Sequence, residues 1–309
     1  MLARVSVVML NTYREAVRAK VLHGLFALSL ATAAYCVVGQ FASASAARVL
    51  SNLGAASMAL YGVFVAVVLS ATALHREIEL KTLFPILARP ISRSEYLIGK
   101  YLGTLSTLAL FVLGNAAVFL SALAATGETP LWEPLAAAAV SVGVGLLIAW
   151  RAPAARSFAP VIAAALLFVA SAVLAGHSPD DRRVLFGSAL LTLCEVSVIC
   201  GVALLFSSFS SPFLTAVFTF GVFIVGRSAG TLASLPARVF GETIHELAQL
   251  LSRVVPNLML YVPERALLTG EAAGSTPAGY VAFAAAHTLG WALALLGVAC
   301  LLFRRRDLT

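Results

Sequence analysis

The chain has 309 residues, 61% of them hydrophobic and only 11% charged, against about 25% charged residues in an ordinary soluble domain. A water-soluble fold of this size could not hide so much apolar surface, so soluble enzymes and soluble binding modules are excluded and lipid is the expected solvent for most side chains. The formal charge of +7 would raise nucleic-acid binding in a soluble protein, but here the basic residues stand at the ends of apolar runs, where they read as topology signals and imply no nucleic-acid partner.

Backbone amides in hydrocarbon must be satisfied within a helix or a closed barrel. The apolar runs are continuous and rich in Leu, Ala and Val, without the short alternating segments of a barrel, so the expected fold class is all-α, a polytopic transmembrane helix bundle. Runs at 21–40, 53–74, 101–124, 134–150, 158–176, 184–206, 212–230 and 280–303 give eight candidate spans. The fourth and fifth are short and joined by the brief connector Arg151-Ala-Pro-Ala-Ala-Arg156. They read as a hairpin, 134–176, inserted into a six-span core and either crossing or re-entrant. With both termini cytoplasmic, fourteen of the 21 basic residues fall inside, as expected of a multi-pass protein of the cytoplasmic (inner) membrane. The cysteines, Cys36, Cys194, Cys200 and Cys300, lie within apolar runs and show no paired spacing, so neither a disulfide framework nor a metal site is expected.

In chain order, residues 1–20 place Leu2, Val5, Val8, Met9, Tyr13 and Ala16 on one helical face beside Arg4, Arg14, Arg18 and Lys20. The small residues of Phe41-Ala-Ser-Ala-Ser-Ala-Ala47 resemble a signal-peptide cleavage site. The long, Glu15-containing region before the first run favours instead an amphipathic helix on the cytoplasmic face. The stretch from His75 to Lys100 concentrates charge in a chain that otherwise avoids it: Glu77, Glu79, Lys81, Arg89, Arg93 and Lys100 surround Ile78, Leu80, Leu83, Phe84 and Leu87, Pro85 and Pro90 interrupt any helix, and Ser92 or Ser94 can cap the next. A cytoplasmic helix-turn-helix at the membrane surface is expected there.

Glu195 stands near the middle of a run, where an ionisable group costs several kcal/mol unless it faces protein or water. It is either a pathway-lining, proton-sensitive group or a structural partner of Asn115, His287 or Arg227. Glycines at 99 and 103, and at 226 and 230, have the spacing that lets helices approach closely. Within the external region 231–279, Phe240, Ile244, Leu247 and Leu251 form the apolar face of an amphipathic helix between Arg238 and Arg253. The same helix carries His245-Glu246 followed by Gln249, where a zinc protease motif needs a second histidine; a preformed metal site is not expected.

The run of Glu77 and Glu79, the pair Thr82-Leu83, then Arg89-Pro-Ile-Ser-Arg93, Glu95-Tyr96 and Gly99-Lys100 resembles the permease subunits of type-2 exporters among the ATP-binding-cassette transporters. The resemblance continues through Phe206-Ser-Ser-Phe-Ser-Ser-Pro212, Val255-Pro-Asn257 and Phe303-Arg-Arg-Arg-Asp307, and so covers nearly the whole chain; the 134–176 hairpin departs from the usual six spans. It implies that 75–100 is a coupling segment docked on a separate cytoplasmic ATPase, with Glu77, Glu79, Thr82, Arg89, Arg93 and Lys100 as contacts. It also implies that ATP and Mg are bound by that partner, that a second permease copy or a related permease completes the pathway, and that the external helix helps to close its outer end. The alternative for 75–100 is an interfacial element that only enforces topology. The chain has no GxxxxGK[ST] phosphate loop and is therefore not itself the expected ATPase, nor an enzyme. Two other functions compete: a secondary transporter driven by an ion gradient through Glu195, and a membrane assembly factor that transports nothing.

Overall fold

The computed structural model describes residues 2–39, 46–79, 92–127, 130, 132–153, 155–235, 238, 241–272, 274 and 276–305. These residues are helical with no strand among them. Each apolar run becomes a helix: α2 (Lys20–Gly39), α3 (Ala46–Glu79), α4 (Arg93–Ala125), α5 (Trp132–Arg151), α6 (Ala159–Leu174), α7 (Pro179–Ser207), α8 (Pro212–Arg227) and α12 (Pro277–Arg305), preceded by α1 (Leu2–Val17). Local chemistry sets the boundaries. Ser92 caps α4 in a reciprocal capping box with Glu95, which relieves two of the amide donors that a helix start leaves unpaired. Pro179 and Pro212 occupy the first turns of α7 and α8, where a missing N–H costs nothing. The turn between α7 and α8 is tightened by Ser210 Oγ, which donates to Phe206 O at 2.8 Å.

α7 is the central helix, packed against α3, α4, α8 and α12. Val65, Ala66, Leu108, Val112, Val196 and Ile199 form the middle of the core it shares with α3 and α4. Contacts between helix ends sort the bundle into two faces. At one, Arg14 of α1 donates to Ser157 Oγ in the α5–α6 turn, and Arg93 donates to Phe303 O and Arg304 O at the end of α12. At the other, Arg265 pairs with Asp181 at 2.6 Å and donates to Ser51 and Asn52, while Thr126 meets His177. The 134–176 hairpin therefore runs the height of the bundle, its turn at the first face and its far end at the second. Ser121 and Ser171 bond at 2.8 Å and fix α6 against α4.

α1 lies against the start of α4. Val5, Val8, Thr12, Tyr13 and Ala16 are buried, so the stripe expected to lie on lipid faces protein instead. Gly99 and Gly103 are its seat: a Cβ on Gly99 would stand 2.6 Å from Val8 Cβ, and one on Gly103 would stand 2.5 Å from Met9 O.

The seventh expected span differs. Among the described residues, seven helices are long and apolar enough to cross a membrane, whereas Pro212–Arg227 is a shorter apolar helix. Its 16 residues cover about 24 Å, less than the roughly 30 Å of hydrocarbon core. The chain then forms the short helix α9 (Ala229–Ala233), the amphipathic α10 (Glu242–Val254) and a tight 3-10 turn at Leu258–Tyr261, before α11 (Arg265–Thr269) leads to α12. The turn re-enters the bundle beside the end of α8. Pro256 O would stand 2.7 Å from a Cβ on Gly226, and Tyr280 donates to Leu260 O at 2.6 Å. Non-helical backbone at this depth is tolerated because protein covers it; Leu258 and Tyr261 are both buried.

Candidate functional site at the middle of the bundle

The break at Arg227 brings that side chain level with the middle of α7. Arg227 Nε donates to Glu195 Oε1 at 2.8 Å and Nη2 to Oε2 at 2.9 Å, the fork-to-fork geometry that a guanidinium offers and an ammonium does not. The Glu195 side chain is 0% exposed and that of Arg227 is 23% exposed, so the carboxylate is sealed and the guanidinium keeps one open edge. The ring of Phe223 lies 5.4 Å from the guanidinium carbon. Of the three partners considered for Glu195, Arg227 is the one the structure supplies. The short α8 ends at Arg227 within the bundle, which brings the guanidinium to Glu195.

His287 instead belongs to a second polar group, which ties the re-entrant turn to α12. Trp291 Nε1 donates to His287 Nε2 at 3.1 Å. An indole N–H can only donate, so Nε2 is the unprotonated nitrogen and Nδ1 carries the hydrogen. Nδ1–H then donates to Tyr261 Oη at 3.0 Å, Tyr261 donates to Thr288 Oγ1 at 2.8 Å, and Thr288 donates to Ala284 O at 2.9 Å. Every member of this one-directional chain is satisfied. Asn115 stays within its own helix, donating to Phe111 O at 2.8 Å, and its Oδ1 is buried without a partner among the described residues.

At the first face, Glu77 and Glu79 are the last turn of α3, with backbone described and side chains outside the described residues. Thr82 and Arg89 also lie outside the described residues. Arg93 is half-buried and satisfies terminal carbonyls of α12. Lys100 is 1% exposed, with its ammonium 5.9 Å from the Tyr96 ring. That corrects its place as a surface contact, because its position on α4 turns it into the packed end where α1, α4 and α12 meet. On the opposite face, Phe240 lies outside the described residues, while Ile244, Leu247 and Leu251 are exposed. The buried side of α10 is Ala248, and both nitrogens of His245 are engaged, by Leu235 O and by Gln249 Nε2. The element that sequence reading missed was the re-entrant turn with Tyr261, joined through His287 to Trp291 of α12. The Pro256-Asn257 dipeptide was its only signal: Asn257 Oδ1 caps the turn at Met259 N.

Comparison with protein families gives one decisive result: the profile described as ABC-2 family transporter protein matches residues 7–308. The chain belongs to the ABC-2 transporter family. A comparison with curated proteins returns no match. The family match covers the α5–α6 hairpin together with all the other spans, so the hairpin lies within the region that the family model matches.

Proposed function

We propose that this chain is the permease subunit of an ATP-driven exporter, working with a separate ATP-binding-cassette ATPase and with a second copy of itself or a related permease in the cytoplasmic membrane. The observation that carries the proposal is the family match over nearly the whole chain, joined to the placement of the start of α4, at Arg93, on the bundle face that also holds α1 and the end of α12. ATP and Mg belong to the partner. Its closure around nucleotide moves the segment between Glu79 and Ser92, and α3 and α4, rooted in that segment, carry the motion to α7 and the central belt. The apolar stripe of α10 at the opposite face closes the outer end against the second copy.

The gradient-driven reading requires the Glu195 carboxylate to take up and release an ion, whereas both of its oxygens are held by Arg227. The test is co-purification with an ATPase encoded beside this chain, followed by Glu77→Lys and Glu79→Lys. The expected result is a loss of ATPase association at unchanged thermal stability. Transport by the chain alone in liposomes, driven by an ion gradient and indifferent to ATPase, would overturn the proposal.

A further inference from the structure

Among the described residues, the α5–α6 hairpin leaves one face without a protein partner. Val140, Leu147 and Trp150 follow helical spacing along α5 and are 65%, 57% and 76% exposed, so acyl chains are what this face meets in a membrane. At its cytoplasmic end the chemistry changes within one turn. Arg151 lies over the Trp150 ring at 5.4 Å, and Arg156 is exposed in the same turn. The next residue, Ser157, accepts from Arg14 Nε at 2.9 Å, and Phe158 stacks on Tyr13 with centroids 5.5 Å apart. These contacts bring the end of α1, with exposed Arg14 and Arg18, to the exposed Arg156. Within residues 1–20 and 150–158, Glu15 is the single acidic residue. Tyr13 adds no negative charge beneath the arginines, because a phenol is neutral near pH 7 and burial pushes this one further up, to about 12.

An apolar face ending in a cluster of guanidinium groups with an interfacial tryptophan has the two-part chemistry of a phospholipid with an anionic headgroup. A topology signal alone needs the charges only on the correct side. Here Arg14 is drawn 143 residues across the sequence to the hairpin turn, so charges from two distant segments converge. We infer that Arg14, Arg18 and Arg156 form a binding site for the phosphate of an anionic phospholipid of the cytoplasmic leaflet, whose acyl chain lies along Val140, Leu147 and Trp150. The bound lipid clamps α1 to the hairpin. Since α1 is seated on Gly99 and Gly103, the clamp also holds the start of α4, into which residues 80–91 lead.

The test measures lipid retained by the full-length protein in native mass spectrometry after exchange into phosphatidylglycerol or phosphatidylcholine. Wild type is expected to retain phosphatidylglycerol preferentially. The Arg14→Ala/Arg18→Ala/Arg156→Ala variant is expected to lose about 100-fold in affinity for it, with phosphatidylcholine unchanged. The triple Lys variant should keep most of the binding, and Arg253→Ala, on the far side, should keep all of it. Inorganic phosphate is expected not to compete, because it lacks the acyl chain. Should the triple Ala variant fail to fold, Arg18→Glu serves alone: its side chain makes no hydrogen bond or ion pair among the described residues, and the substitution should still lower retention. No lipid preference in wild type, or equal retention by the variants, overturns the site. Loss of ATPase association with retention unchanged would assign the arginines to the partner's surface and overturn it as well.

Discussion

Two charges share the apolar middle of the bundle, and their geometry determines what each substitution does. The Glu195–Arg227 pair is bidentate and sealed on the carboxylate side. Removing one partner of such a pair leaves a charge in a low dielectric and costs about 3–5 kcal/mol, whereas replacing both by apolar residues of similar volume is often neutral. Glu195→Leu and Arg227→Leu should each strongly lower stability in detergent unfolding, and the double variant should recover most of the loss. Additive losses would mean that the two side chains do not act as a pair. The His287 chain makes a sharper statement, because Trp291 can only donate: histidine-selective ¹⁵N NMR should show the Nδ1–H tautomer in the wild type. Observation of Nε2–H would refute the hydrogen-bond direction that the indole imposes, and Trp291→Phe, by removing the donor, should permit both tautomers.

At the scale of elements, glycine placement separates close packing from mere flexibility. A Cβ on Gly103 would meet Met9 O at 2.5 Å and Thr12 Cβ at 2.6 Å, whereas one on Gly143 meets nothing within 4 Å. Gly103→Ala should therefore unseat α1 and raise its hydrogen exchange and protease sensitivity, while Gly143→Ala should leave both unchanged or slightly improved through helix propensity. Equal behaviour of the two variants would show that α1 does not depend on this seat. The same glycines show how far the sequence could be read. Their spacing indicated close helix approach, but spacing names no partner, and the partner is α1 and not another span. The apolar stripe of α1 was legible as a helix face; whether lipid or protein covers it is decided by residues nearly 100 positions away. The early end of α8 was hidden because the chain after Arg227 stays uncharged through Ala233, so no run of charge marks the break. Residues 134–176 were legible as a hairpin, and the contacts at its two ends supply what periodicity could not, its height in the bundle.

For the whole molecule, the strongest constraint is that contacts at the two faces must agree with the alternation of the chain. Starting from α1, the path passes up α2, down α3, up α4, down α5, up α6, down α7, up the short α8 and, after the re-entrant turn, down α12. Each crossing leaves its ends beside partners of the same face: Arg14 beside Ser157, Arg93 beside Phe303, Asp181 beside Arg265 and Thr126 beside His177. Reversing the α5–α6 hairpin would separate two of these four pairs. In a background with the four native cysteines replaced by alanine, a cysteine at Ala155 should react with a membrane-impermeant maleimide only in inside-out vesicles, and cysteines at Ser178 or Glu242 only in intact cells. A hairpin dipping in from the outside would instead expose positions 155 and 178 to the same side. The basic bias argues for the first pattern independently, since Arg151 and Arg156 then join Arg4, Arg14, Arg18 and Lys20 on the cytoplasmic side.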